Sequence, residues 1–166
     1  MKRRTAILGS ALFFVAAPGT FAGLLPWLRT HWHMQPPFFG FAGLRIAGGL
    51  LIGAGLYFLL DSFARFALKG LGTPAPIAPP EKLVVSGYYR HTRNPMYVAV
   101  LALISGQALL FGDVFLIAYG VLVWFCFEVF VMGYEEPTLR RMFGAEYERY
   151  CENVPRWFPR LRPWSP

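Results

Sequence analysis

Long apolar runs separated by short polar ones set the layout of this chain. Residues 6–28 are nearly all apolar, 41–60 form a second run, and 96–111 and 114–132 are two more, divided only by Gly112-Asp113. A helix rises 1.5 Å per residue, so about twenty apolar residues cross a hydrocarbon core of roughly 30 Å. The pattern predicts four transmembrane helices. The third, at about 24 Å, is short for a span and makes a tight hairpin with the fourth. Lys2, Arg3 and Arg4 precede the first run. A signal peptide cleaved after Val15-Ala16-Ala17 competes here, but the run's length and Trp27 as an interfacial anchor favour a retained span, kinked at Pro18-Gly19. The second run contains Gly43, Gly48, Gly49, Gly53 and Gly55, and Gly49-x3-Gly53 has the spacing that lets helices approach closely in lipid. Arg45 near its start is expected to snorkel to the interface.

The polar intervals differ in character. In the loop at 29–40, His31-x-His33 has no Cys, Asp or Glu nearby to complete a coordination shell, so it reads as a solvated loop and no metal is expected. The connector at 61–85 opens with Asp61 and Arg65, spaced to pair on a helical extension, and becomes proline-rich at 70–80. From Pro137, Leu139, Met142, Phe143, Tyr147 and Tyr150 recur against Arg140, Arg141, Glu146, Glu148 and Arg149. That pattern predicts an amphipathic interfacial helix, lying on the membrane or closing over a site. The basic, aromatic, proline-broken tail from Val154 fits headgroup contact. The expected fold is all-α: one membrane domain over 1–166, a helical bundle with about four transmembrane helices and a C-terminal amphipathic interfacial helix. Residues 1–82 would supply two spans and the connector, and 83–166 the functional core.

Composition narrows the function classes. Of 166 residues, 55% are hydrophobic and only 15% charged, which no ordinary soluble domain matches. A net charge of +7 would suit nucleic acid, but the cations flank apolar runs and form no stripe on a soluble face. Topology and anionic headgroups account for them better, and no nucleic-acid partner is expected. With the N-terminus inside, Lys2, Arg3, Arg4, Arg65, Lys69, Lys82, Arg90, Arg93, Arg140, Arg141, Arg149, Arg156, Arg160 and Arg162 all fall on the cytoplasmic side, against Arg29 outside and Arg45 near that side. The expectation is a multi-pass protein of the bacterial inner membrane with both termini cytoplasmic. Cys126 lies in an apolar run and Cys151 in a charged one, so two unpaired thiols are expected. The Arg-Pro-Trp-Ser-Pro end is expected to carry no prenylation box.

Candidate chemistry concentrates in Ser86-Gly-Tyr-Tyr-Arg-His-Thr-Arg-Asn-Pro-Met-Tyr97 and in Glu135-Glu136-Pro137. Proline suits a first helical turn, so Arg93 and Asn94 sit at the threshold of the third span and Tyr97 one turn inside. The hairpin brings these cations and carboxylates to one membrane face, where they could hold a zwitterion. Glu128 lies at membrane depth and is a functional candidate for that reason; seven residues from Glu135, it is expected on the same helical face.

Gly87-Tyr-Tyr-Arg-His-Thr-Arg-Asn-Pro-Met-Tyr97, then Glu135-Glu136-Pro-x-Leu139, Phe143-Gly-x-Glu-Tyr-x-x-Tyr150 and Val154-Pro-Arg-x-x-Pro159 together resemble the isoprenylcysteine carboxyl methyltransferase family, itself similar to the phospholipid N-methyltransferases. The resemblance covers roughly residues 83–159. It implies an integral-membrane methyltransferase that uses S-adenosylmethionine on a lipophilic acceptor from the bilayer: an isoprenylcysteine-like carboxylate, a thiol or a lipid amine. By position it assigns Arg93, Pro95, Tyr97, Glu135 and Glu136 to the cofactor pocket. Asn94 stands where the family has histidine, and Ala99 where it has glycine; His91 is a candidate substitute for the imidazole. Arg93, Asn94 and Tyr97 are thus the candidate catalytic residues, with His91, Pro95, Glu135 and Glu136 added as candidate cofactor contacts. The residue chemistry agrees: Arg93 offers a fork to a carboxylate, either glutamate an acceptor for an ammonium or ribose hydroxyls, and Tyr97 a hydroxyl and a face for a sulfonium. A nicotinamide-dependent lipid reductase and a non-catalytic lipid-binding protein are the alternatives.

Overall fold

The computed structural model describes residues 3–70 and 82–165. Its regular elements are all helical: α1 (Arg3–Ala16), α2 (Leu25–Thr30), α3 (Gly43–Arg65), α4 (Pro95–Phe111), α5 (Val114–Phe130), α6 (Glu136–Phe143) and α7 (Ala145–Asn153), with no strand among the described residues. Leu8–Thr30, Gly43–Leu68 and Val114–Phe143 are long and apolar enough to cross a membrane, while Pro95–Phe111 is apolar but shorter. The proline-rich part of the connector lies outside the described residues.

Two prolines shape the long helical runs. Thr20–Leu24 and Val131–Glu135 each widen into a π turn, and Pro26 and Pro137 follow two residues after each turn ends. Proline has no N–H for the carbonyl four residues back, and its ring crowds that carbonyl, so the preceding turn re-pairs one residue wider. Thus Leu25 donates to Thr20 O and Glu136 to Val131 O. Pro26 orphans the carbonyl of Ala22, and Gln107 of α4 donates Nε2 to it at 2.6 Å. Tyr119 of α5 donates to Phe21 O at 2.8 Å. In hydrocarbon such rescue is required, because water is not there to do it. The break expected at Pro18-Gly19 is therefore drawn out over residues 17–24 and pinned from the side.

α3 and α4 pack along most of their length, and the glycine face differs from the expected one. Gly49 and Gly53 face outward with open space around them, whereas Gly48 and Gly55 are buried against α4. A Cβ on Gly48 would sit 2.6 Å from Gly106 O, and one on Gly55 would sit 3.1 Å from Ala99 O. The seven-residue interval keeps both on one stripe of a nearly straight helix. Leu59, Phe63, Val100, Ile104 and Val123 continue this contact into the core. The hairpin forms as expected. Gly112 ends α4 in the left-handed region at φ 70°, and Asp113 caps α5 by accepting from Phe115 N–H at 2.8 Å. Asp61 and Arg65 also pair as expected, at 2.7 Å. Arg45, expected to snorkel, donates to Gln35 O at 2.7 Å and braces the loop before it.

The C-terminal region departs from the sequence expectation twice. The amphipathic stretch is two short helices, broken at Gly144 where φ is 50°. Its apolar stripe is largely buried within the protein: Tyr147, Tyr150 and Val154 pack with Leu83, Val85, Leu139 and Trp164. The tail, expected at lipid headgroups, folds back as a strap along residues 90–93. Arg93 N–H donates to Pro155 O at 2.9 Å, Arg160 N–H to His91 O at 2.9 Å, and Trp164 N–H to Arg90 O at 3.0 Å. Among its described residues, Phe158 and Leu161 project outward as large, well-exposed apolar side chains.

Candidate functional site

Where α4 begins and α5 finishes, a cavity of about 410 Å³ opens between them and the facing parts of the first two spans. Phe13 and Phe21, Phe63 and Phe66, and Phe127 and Phe130 make its walls aromatic. The broken helix around Pro18 lets the first span bend around it. One end is polar and is formed by Arg93, Asn94, Pro95, Tyr97 and Glu135, with Tyr89 beside them. Pro95 opens α4, so Arg93 and Asn94 stand just outside the helix and Tyr97 lies within its first turn. The Tyr97 ring rests on Phe127 at 4.6 Å between centroids, and its hydroxyl donates to Glu135 at 2.8 Å. That bond joins the two arms of the hairpin at its open end.

The two adjacent glutamates face different surroundings. Glu135 lines the cavity, while Glu136 is buried and points at partly exposed arginines. Arg156 of the strap grips Glu136 with Nε at 2.7 Å and Nη2 at 3.1 Å, and its Nη1 reaches Glu128 at 3.0 Å. Trp157 Nε1 donates to the other oxygen of Glu128. Glu128 therefore shares a face with Glu136, and the expected pairing with Glu135 is corrected. The π turn between them inserts one residue, so positions eight apart align where seven would in a regular helix. The Glu136 bond holds the Arg156 guanidinium above its ordinary value and keeps it charged.

Arg93 joins this cluster to the cavity. Its Nη1 lies 3.1 Å from Glu136 and 2.8 Å from Cys151 Sγ, and its Nε is buried with no hydrogen-bond partner among the described residues. Asn94 is buried and donates Nδ2 to Arg156 O at 3.2 Å, and Thr92 Oγ1 donates to the same carbonyl at 2.8 Å. His91 turns away from the cavity and places Nδ1 2.7 Å from Arg160 O. Beneath the strap, burial pushes the Tyr150 phenol up, keeping it a neutral donor to Tyr89 O at 2.6 Å. Burial also holds the Tyr89 phenol well above its ordinary value.

Of the residues singled out from sequence, Arg93, Asn94, Pro95, Tyr97 and Glu135 thus meet at one cavity end. Glu136 stands behind Arg93, and His91 serves the strap. Sequence reasoning missed Arg156 and Trp157 as partners of Glu128, and the first span as a cavity wall. One signal for the former was present: a carboxylate at membrane depth calls for a cation elsewhere in the chain.

A family model described as phospholipid methyltransferase matches residues 44–146. The chain belongs to the phospholipid methyltransferase family. The match runs from α3, through the hairpin and the Glu135-Glu136 pair, to the start of α7. Among individual relatives of this phospholipid methyltransferase family member, protein-S-isoprenylcysteine O-methyltransferase B of Arabidopsis thaliana is 37% identical over 79 residues, which is 47% of this chain and 40% of that protein. Protein-S-isoprenylcysteine O-methyltransferase A of the same plant is 38% identical over 73 residues, 43% of this chain and 36% of that one. A probable protein-S-isoprenylcysteine O-methyltransferase of Oryza sativa subsp. indica is 36% identical over 74 residues, 44% of this chain and 38% of that one. The chain thus matches well under half the length of these curated relatives.

Proposed function

We propose that this chain is an integral-membrane methyltransferase that binds S-adenosylmethionine at the polar end of the cavity and methylates a lipophilic acceptor lodged between its aromatic walls. One observation carries the reading: an apolar cavity within the spans that ends on an arginine, a carboxylate and a tyrosine hydroxyl. The donor set fits the cofactor. The buried Nε of Arg93 is a donor in want of an acceptor, which a carboxylate would supply. Glu135 accepts from Tyr97 and has no ion pair among the described residues, so an ammonium or ribose hydroxyl suits it. When bound, S-adenosylmethionine supplies an activated methyl on a sulfonium.

The protein's own residues orient, exclude water and handle protons. Tyr97 presents its ring and hydroxyl at the junction of polar and apolar ends. Asn94 carries an amide, which can hydrogen-bond but cannot act as a base. A carboxylate or thiolate acceptor needs no proton removed, whereas an amine or phenol does. Glu135 is the carboxylate that lines the cavity and could accept that proton. The cation asymmetry supports cytoplasmic termini and a cytoplasmic cofactor site.

Calorimetric titration of the purified protein with S-adenosylmethionine, its demethylated product and NADPH tests the reading. Saturable binding of the first two is expected, with methyl transfer from radiolabelled cofactor into lipophilic acceptors. Binding of NADPH alone would replace it with a reductase.

A further inference from the structure

We infer that Arg156 is a positioning residue: through Glu136, the C-terminal strap sets where the Arg93 side chain stands at the cavity. The inference rests on the methyltransferase reading for what Arg93 does there. It rests on the geometry for how Arg93 is held.

The chain of contacts runs Glu128, Arg156, Glu136, Arg93. Arg156 uses all three guanidinium nitrogens, two on Glu136 and one on Glu128, which fixes the plane of the Glu136 carboxylate from behind. The front of that carboxylate, Oε1, lies 3.1 Å from Arg93 Nη1. Backbone geometry reinforces this, since Arg93 N–H donates to the carbonyl of Pro155, the residue before Arg156. Arg93 is thus tied to the strap directly through its backbone and indirectly, through Glu136, at its guanidinium, and its Nε is left free of protein partners among the described residues. The cluster of Glu128, Arg156, Glu136 and Arg93 sums to zero formal charge. Arg140 also stands 4.0 Å from Glu136. Loss of Arg156 removes a positive charge as well as the grip, and the lysine variant, which keeps the charge, isolates the effect of placement. Without Arg156, Glu128 and Glu136 would both be left to compete for the Arg93 guanidinium and draw it out of the cavity wall.

The strap does not depend on this guanidinium to stay in place. Arg160 and Trp164 donate backbone N–H groups to His91 and Arg90, Thr92 and Asn94 hold the Arg156 carbonyl, and Val154 is buried with Tyr147 and Tyr150. Loss of the Arg156 side chain should therefore move Arg93 while the strap remains docked. Lysine keeps the charge but can make neither the two-nitrogen grip nor the third bond in a plane.

The test uses the full chain in detergent with Cys126→Ser as background, so that Cys151, which touches Arg93, reports on the displaced guanidinium. Arg156→Met and Arg156→Lys are compared with the parent for maleimide labelling rate at Cys151 without ligand and for S-adenosylmethionine Kd by calorimetry. Each is also made in an Arg93→Ala background. Arg156→Met is expected to speed labelling at least threefold and raise Kd at least tenfold, with Arg156→Lys between it and the parent. In the Arg93→Ala background, Arg156→Met should raise Kd no more than about twofold further. Unchanged labelling and Kd would overturn the inference, and so would an equal loss of affinity with and without Arg93. If the parent binds no S-adenosylmethionine, the methyltransferase reading fails and the labelling rates alone decide the positioning role. Should Arg156→Met not fold, Arg156→Lys carries the same comparison.

Discussion

Replacing Glu135 and Glu136 by glutamine, one at a time, should change ligand-free stability very unequally. In the sequence the two stand side by side as equivalent candidate cofactor contacts. The structure separates them. The Glu136 side chain is 8% exposed and carries contacts at 2.7 and 3.1 Å to Arg156 and 3.1 Å to Arg93, with Arg140 at 4.0 Å. Glutamine keeps the shape and one acceptor but leaves these guanidiniums without their shared anion. Removing one partner of a buried pair costs about 3–5 kcal/mol, and the retained acceptor favours the lower end. With each kcal/mol worth roughly 2–4 °C in a chain of this size, Glu136→Gln should melt roughly 6–12 °C lower without ligand. Glu135 accepts one bond from a neutral hydroxyl, which an amide oxygen also accepts. Its replacement should change ligand-free stability by no more than about 1 kcal/mol. Binding should respond instead: loss of a charge-assisted contact costs about 1.5–3 kcal/mol, or roughly 10- to 150-fold in S-adenosylmethionine Kd. The assay is intrinsic-fluorescence melting in detergent, followed by calorimetry. Ligand-stabilised melting should weaken in step with affinity for Glu135→Gln. Equal ligand-free melting temperatures for the two variants would refute the inside–outside division of the pair.

Other expectations follow from features of the bundle. Gly48→Ala should destabilise the α3–α4 contact, because its Cβ would meet Gly106 O at 2.6 Å; Gly53→Ala, in open space, should be neutral or stabilising by up to about 1 kcal/mol, and paired thermal melts check the difference. Gln107→Leu should cost about 1–3 kcal/mol by stranding the Ala22 carbonyl that Pro26 orphans, read as a lower melting temperature. Arg93→Ala should both weaken S-adenosylmethionine binding by roughly 1.5–3 kcal/mol and lower ligand-free stability, with Arg93→Lys recovering only part of the binding. For topology, Gln35 pairs with the far end of α4 through its N–H to Phe111 O. In intact cells a cysteine at 35 should react with an impermeant reagent from outside, and one at 165 should not.

The sequence made some of this legible because the determinants were local. The Gly112-Asp113 hairpin, the Asn94-Pro95 helix start and the Asp61–Arg65 pair each depend on neighbours within a turn, and each forms as expected. The meeting of Arg93, Tyr97 and Glu135 followed from closing that hairpin. What escaped depended on distant partners. Gly49-x3-Gly53 and Gly48/Gly55 are both plausible packing stripes on a lone helix, and only the approach of α4 chooses between them. The facing of Glu128 was misjudged because a π turn has no strong residue signature. Gly133 and Pro137 hinted that the ladder was weak, but not that it would gain a residue. The strap was least legible of all. Three of its contacts are with backbone groups of Arg90, His91 and Arg93, which leave no mark in a sequence.

The strap also bears on biosynthesis. Chains emerge N-terminal end first, so both arms of the hairpin leave the ribosome before residues 155–164 do. During that interval Glu128 has neither Arg156 nor Trp157 beside it, and the carbonyls of Arg90 and His91 lack the N–H groups that later cover them. The helices therefore emerge with an incomplete site, and residues 155–164 finish it afterwards. A chain truncated before Arg156 and released should insert both arms yet be unable to hold Arg93 at the cavity.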